Sequence, residues 1–165
     1  MNIKWIKTHH KTRRYDLFMS SCYQYFKKST SRLHQPLEDE FKSLQVVRQL
    51  NLSKVQKLID GSIDYDGVSY IITEYCGVNL RRSLVPGDWR VQLEVIDQSL
   101  SELKNVRVFH NDVQIRNIFC KDNDLCLIDF DLSTHGAPSR RSKTRPEFNC
   151  CDRVRDKIIN RWKIK

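Results

Sequence analysis

The run His110-Asn111-Asp112-Val113-Gln114-Ile115-Arg116-Asn117 places a carboxylate and an amide five residues apart. Asp129 follows twelve residues after Asn117, directly behind the apolar run Leu125-Cys126-Leu127-Ile128. Phosphoryl transfer asks a protein mainly for positioning and charge neutralisation. One carboxylate orients the acceptor hydroxyl, while an asparagine and a second carboxylate hold magnesium ions. This stretch supplies residues of those types. A hairpin formed by Ile118-Phe119-Cys120 and Leu125–Ile128 would return the chain and bring Asp129 beside Asn117. The competing account is a surface loop with a capping aspartate and a turn asparagine. From average residue frequencies the His-Asp-Asn spacing alone arises in roughly one chain of this length in a hundred, and the apolar pair followed by Asp-Phe makes it rarer still.

Several elements must position these residues. Aromatic-rich runs at Ile3–Ile6, Tyr15–Phe18 and Tyr23–Phe26 predict strands, with the basic segment Thr8–Arg14 as their first connection. Leu37, Phe41, Leu44 and Val47 recur at three and four, which predicts a helix from Leu37 to Leu50 opened by Pro36. Val55–Leu58 reads as a strand. Asp66-Gly67 between Ile63–Tyr65 and Val68–Ile72 is a hairpin signature. A short helix is expected over Leu80–Leu84. Asp88 is placed to cap a longer helix whose buried stripe is Leu93, Ile96, Leu100 and Leu103. Thr134–Arg145 is poor in apolar residues and is expected to be mobile. Val154, Ile158, Ile159 and Trp162 predict a final helix. The order gives an α+β fold with a boundary near Cys76–Asn79.

His110-x-Asp112-x4-Asn117 followed by Leu127-Ile128-Asp129-Phe130 resembles the catalytic loop and the D-F-G metal loop of protein kinases. The resemblance implies a two-lobed protein-kinase-like fold: a small antiparallel-sheet N-lobe with one helix over residues 1–76, and a shortened, mainly helical C-lobe over 77–165. It implies ATP and Mg2+ as cofactors, Asp112 as catalytic base, Asn117 and Asp129 as magnesium ligands, and a bracing role for His110. Tyr70–Leu80 resembles the kinase hinge, so Glu74 and Cys76 would bond the adenine edge, Thr73 would act as gatekeeper and Phe119 would pack beneath the base. By the same resemblance Lys27, with Lys28 second, would touch the α- and β-phosphates, held by Glu40, with Glu38 second.

The sequence also departs from that family. No glycine precedes Gly61, so the glycine-rich phosphate loop is missing and His9–Arg14 stands in its place. Asn111 replaces an arginine, Gln114 a lysine, and Asp131 the glycine of D-F-G. Arg145-Pro146-Glu147 faintly resembles the Ala-Pro-Glu element. The chain is similar in its brevity to minimal atypical kinases such as the RIO type and the small kinase of the KEOPS complex. The family resemblance implies a minimal Ser/Thr protein kinase acting on protein substrates. The alternatives are a pseudokinase that binds nucleotide or a partner, and a small-molecule phosphotransferase of the choline-kinase or aminoglycoside type, against which stands the short segment after Asp131.

Composition bounds the rest. With 39% hydrophobic and 10% aromatic residues the chain can bury a core, which excludes disorder throughout. Lys and Arg outnumber Asp and Glu by 29 to 20, so the surface attracts anions, and nucleic acid is a possible further partner. Six cysteines form no Cys-x-x-Cys pair and no disulfide framework, which points to reduced thiols in the cytoplasm or nucleus. No apolar run is long enough to span a bilayer, so no membrane partner is expected.

Overall fold

The computed structural model describes residues 3–8, 15–31 and 35–162. The basic segment His9–Arg14 lies outside the described residues, so the structure does not bear on its part in phosphate binding.

Three strands open the fold: β1 (Trp5–Lys7), β2 (Asp16–Ser20) and β3 (Tyr25–Thr30). Helix α1 (Gln35–Gln49) follows, then β4 (Leu58–Ser62) and β5 (Ser69–Glu74). The strands form one antiparallel sheet in the order β1-β2-β3-β5-β4. Helix α1 presents Leu37, Leu44 and Val47 to the core, together with the buried polar residues Glu40 and Ser43. The arms of the expected β4–β5 hairpin are displaced. Ile63–Val68 is connection, because Ser69 Oγ donates to the Asp64 carbonyl and accepts from its amide, while the Asp64 carboxylate takes the Asp66 amide. These local side-chain bonds compete with a ladder. Val55 makes only a single parallel bridge to Leu127.

Beyond Tyr75 the chain forms β6 (Val78–Asn79), a 3₁₀ turn at Leu80–Arg82, α2 (Trp89–Asn105) and β7 (Val108–Phe109). Helix α2 buries the expected stripe plus Trp89, Gln92 and Ser99. Asp88 does not cap its backbone; its carboxylate accepts from Gln92 Nε2 at 2.7 Å. A second 3₁₀ turn, Ile115–Asn117, leads into β8 (Ile118–Lys121) and β9 (Asp124–Leu127). This hairpin turns on Asp122 and Asn123, both at positive φ, the conformation that matches strand twist and that Asn and Asp tolerate.

Thr134–Arg145, expected to be mobile, is instead structured. It contains β10 (Thr134–His135), paired with β7, and α3 (Arg140–Thr144), capped by Ser139 Oγ. The 3₁₀ turn Pro146–Asn149 and α4 (Asp152–Trp162) complete the described fold. Order in this apolar-poor segment comes from polar anchoring and from Arg141, whose guanidinium lies over the buried Phe148 ring at 4.1 Å. Among the described residues no helix is long and apolar enough to cross a membrane.

Candidate functional site

Lys28 is the centre of the site. Its Nζ lies 2.9 Å from both carboxylate oxygens of Glu40 and 2.6 Å from Asp129 Oδ1. Strand β3, helix α1 and the end of the β8–β9 hairpin thereby converge on one ammonium. The first choice from the sequence, Lys27, is corrected. Successive strand residues face opposite sides of a sheet, and Lys27 places its ammonium over the rings of Trp5, Phe18 and Tyr70 instead. Glu38, the second-choice glutamate, pairs with Lys42 one turn away.

Electrostatics follow from two carboxylates sharing one cation. Burial pushes the Glu40 carboxyl up to about 7, with Lys28 pulling against it and Asp129 adding to it. Burial opposes the charge on Lys28, yet the two carboxylates outweigh it and raise that group. Burial would likewise raise Asp129, but Lys28 holds its carboxyl below the ordinary value. With Glu40 ionised the trio carries one excess negative charge, which a hard divalent cation would meet.

The residues of the His110–Asn117 loop are held from several directions. His110 Nε2 donates to the Ile128 carbonyl at 3.1 Å and its Nδ1 accepts the Asp112 amide at 3.3 Å, a pattern that needs the neutral ring. Burial depresses its basicity accordingly. Asn117 donates through Nδ2 to the carbonyl and carboxylate of Asp112, at 2.9 and 2.7 Å. The Ile128 amide donates to the Asn117 carbonyl at 2.9 Å, so the hairpin does bring Asn117 to the end from which Asp129 projects. Asp112 is 2% exposed, and its carboxylate also accepts from Gln114 and from Arg116, the latter at 2.8 Å. Asp129 itself has φ 71°, a left-handed conformation uncommon outside glycine and found at constrained sites.

A cavity of about 850 Å3 opens beside these groups. Lys28, Asp129 and Asp131 line one part, and Glu74, Tyr75, Cys76, Gly77 and Phe119 another. Its volume is within the usual range for small-molecule and cofactor sites. The Glu74 amide is taken by the Lys57 carbonyl, whereas the Cys76 amide makes no hydrogen bond among the described residues. Gly77 has φ 88°, and a Cβ there would collide with the Cys120 carbonyl, so the chain can pass the hairpin only as glycine. Cys76 also touches Cys126, sulfur to sulfur, at 2.7 Å, and the six cysteines are free thiols.

The donor set fits a magnesium–nucleotide. Among the described residues no three His, Cys, Asp or Glu side chains converge as a self-sufficient metal site. Asp129 and the Oδ1 of Asn117 are oxygen donors of the kind magnesium takes in ones and twos, with phosphate and water completing the shell.

Two structural roles escaped the sequence reading. Gln56, in the cavity lining, donates to Thr73 Oγ1 at 2.7 Å and accepts from the Asp129 amide at 3.4 Å, linking β5 to the segment that carries Asp129. Asn111, at φ 63°, is a buried hub. Its Nδ2 donates to the carbonyls of Phe109 and Leu132 and to Thr134 Oγ1, while its Oδ1 accepts from the Ser139 amide and its own amide donates to Asn149 Oδ1. Nothing in the sequence distinguishes either from a solvated polar residue. The Asn111→Ala variant is expected to lose about 3 kcal/mol of stability, from orphaned buried groups and from alanine at positive φ. Urea denaturation checks the loss, and faster hydrogen exchange at Thr134 and Ser139 locates it. Unchanged exchange there would remove Asn111 from that role.

No protein-family model matches this chain, and no curated protein matches it. Among solved structures, the kinase PK-1 of Cydia pomonella granulovirus is similar, with a TM-score of 0.66 and 19% sequence identity. The match covers 83% of this chain and 57% of that one, so this chain spans little more than half of the viral kinase. Likeness at this level of identity speaks to architecture. The chain has a protein-kinase-like fold, α+β, with an antiparallel sheet, four helices among the described residues and shortened lobes.

Proposed function

We propose that the protein is an ATP- and Mg2+-dependent phosphotransferase, a minimal atypical kinase acting on Ser or Thr hydroxyls of proteins. The observation that carries this reading is the Lys28 ammonium clamped between Glu40 and Asp129 at the wall of a nucleotide-sized cavity. In this reading Lys28, rather than Lys27, meets the phosphates, with Glu40 fixing its position. Cys76 and Glu74 offer backbone groups to the base, and Phe119 packs against it. Asp129 and Asn117 would hold magnesium, which supplies charge neutralisation on the phosphates. Asp112 orients the acceptor hydroxyl and takes its proton as the new O–P bond forms and ADP leaves.

Asp112→Asn is expected to lower phosphate transfer by about 100-fold or more, because the base is lost. Its Mg–ATP thermal shift should stay that of the wild type. The measurement is ADP release from purified protein with and without a protein acceptor. Equal release by wild type and variant would exclude catalysis by this site.

One observation favours a second reading. Both Asp112 oxygens are engaged, by Gln114 and by Arg116 with Asn117, which suits a nucleotide-binding pseudokinase. A thermal shift with Mg–ATP but no turnover on any acceptor would select it.

A further inference from the structure

The cavity lining also carries a set of cations to which the nucleotide reading above gives no part. Arg81 and Arg82 follow the hinge on the Leu80–Arg82 turn, and Arg116 lies on the Ile115–Asn117 turn; all three line the cavity. All three are exposed. Arg81 and Arg82 form no ion pair with any described carboxylate, and Arg116 pairs only with Asp112. The two turns are fastened to each other by Asn79. Its Oδ1 accepts the Arg81 amide at 2.9 Å and its Nδ2 donates to the Arg116 carbonyl. The backbone therefore holds the three guanidinium-bearing positions together. Arg161 of α4 adds a further cation by donating to the Arg81 carbonyl at 3.0 Å.

Position gives this cluster its meaning. Arg116 stands between Asp112 and Asn117 in the chain, so an acceptor hydroxyl that reaches Asp112 arrives alongside it. Guanidinium groups bind carboxylate and phosphate through paired, charge-assisted hydrogen bonds. A mouth of one sign concentrates ligands of the other and rejects ligands of its own. We propose that Arg81, Arg82 and Arg116 form an acceptor subsite for acidic polypeptide, in which carboxylates flank the Ser or Thr that is presented to Asp112. The transfer itself rests on the phosphotransferase reading; the docking does not. An acidic side chain that takes the Arg116 guanidinium also releases Asp112 Oδ2 from its ion pair, leaving Asn117 Nδ2 as the one donor to that oxygen. Polypeptide is favoured over RNA because the cations sit on two short, adjoining turns. That matches a few residues of peptide rather than the groove that tracks a nucleic-acid backbone.

The test is fluorescence anisotropy with the full chain and four labelled probes. These are a serine peptide rich in glutamate, the same peptide with glutamine, the same with lysine, and a short single-stranded RNA. The glutamate peptide should bind at least about tenfold more tightly than the glutamine peptide, as expected for paired charge-assisted contacts. Added salt should erode that margin. The double substitution Arg81→Glu, Arg82→Glu should abolish the preference; the milder Arg81→Gln, Arg82→Gln should reduce it and guards against misfolding in the first. A thermal shift with Mg–ATP on the same samples reports on the nucleotide site separately, so failure of that reading is distinguishable. Equal binding of glutamate and glutamine peptides, a preference that survives both double substitutions, or RNA binding that exceeds the acidic peptide and depends on Arg81 and Arg82 would each overturn the proposal.

Discussion

Asp129→Asn is expected to reduce Mg–ATP-dependent transfer by about 100-fold or more, because on the phosphotransferase reading it removes a charge that would hold magnesium at the phosphates. The fold should survive. Asparagine keeps the shape of aspartate and is among the few residues that accept the left-handed backbone found at this position. Alanine would add strain of about 1 kcal/mol or more and blur the comparison. Loss of the charge also relieves Glu40, whose carboxyl is pushed up in part by Asp129. The lone ammonium of Lys28 then faces one carboxylate, and the melting temperature should be no lower than that of the wild type near neutral pH. ADP release, the Mg–ATP thermal shift and urea denaturation measured together check all three parts. Wild-type turnover in this variant would remove Asp129 from the reaction.

The second large effect separates two adjacent lysines. Lys28→Met is expected to cost about 3 kcal/mol near pH 8, since it strands a fully buried carboxylate. Lys27→Met loses contacts with rings on the other face of the sheet and should cost within about 1 kcal/mol. The pH dependence has a definite sign. Glu40 already sits near 7 in the folded protein, above its ordinary 4.5. An acid raised on folding is neutral in both states below the unfolded value. Stability falls as pH rises from the unfolded to the folded value and is level above it, so a variant with a still higher folded value goes on losing stability where the wild type has levelled off. Removing Lys28 raises the folded value further. The stability gap between Lys28→Met and wild type should therefore be widest near about pH 8 and narrow towards about pH 5. Urea midpoints for both variants across that range decide the matter. A larger loss for Lys27→Met, or a gap that widens towards acid, would contradict this account of the ion trio.

The sequence by itself determined what could be encoded over short distances. Asp112, Asn117 and Asp129 lie within eighteen residues around a two-residue hairpin, so loop spacing and strand alternation were enough to bring them near each other. The stripe on α2 and the face of α1 were legible because a helix repeats every 3.6 residues and each buries one continuous side. The tertiary structure decided the lysine. Tyr25-Phe26-Lys27-Lys28-Ser29-Thr30 has no alternation of apolar and polar residues, so nothing local says which lysine faces inward. That choice depends on where α1 docks, since Glu40 is what a buried ammonium on β3 must meet. The displaced β4 and the ordered segment after Thr134 were hidden for the same reason. Both depend on polar bonds, from Asp64 to Ser69 and from Asn111 to Thr134 and Ser139, whose partners are specified by geometry and leave no periodic trace. So the way the stretch from Val108 to Ser133 turns back on itself could be read along the chain. Its carboxylate-clamped cation and its bracing hub could be read only in three dimensions, because buried ions and buried amides take their roles from what surrounds them.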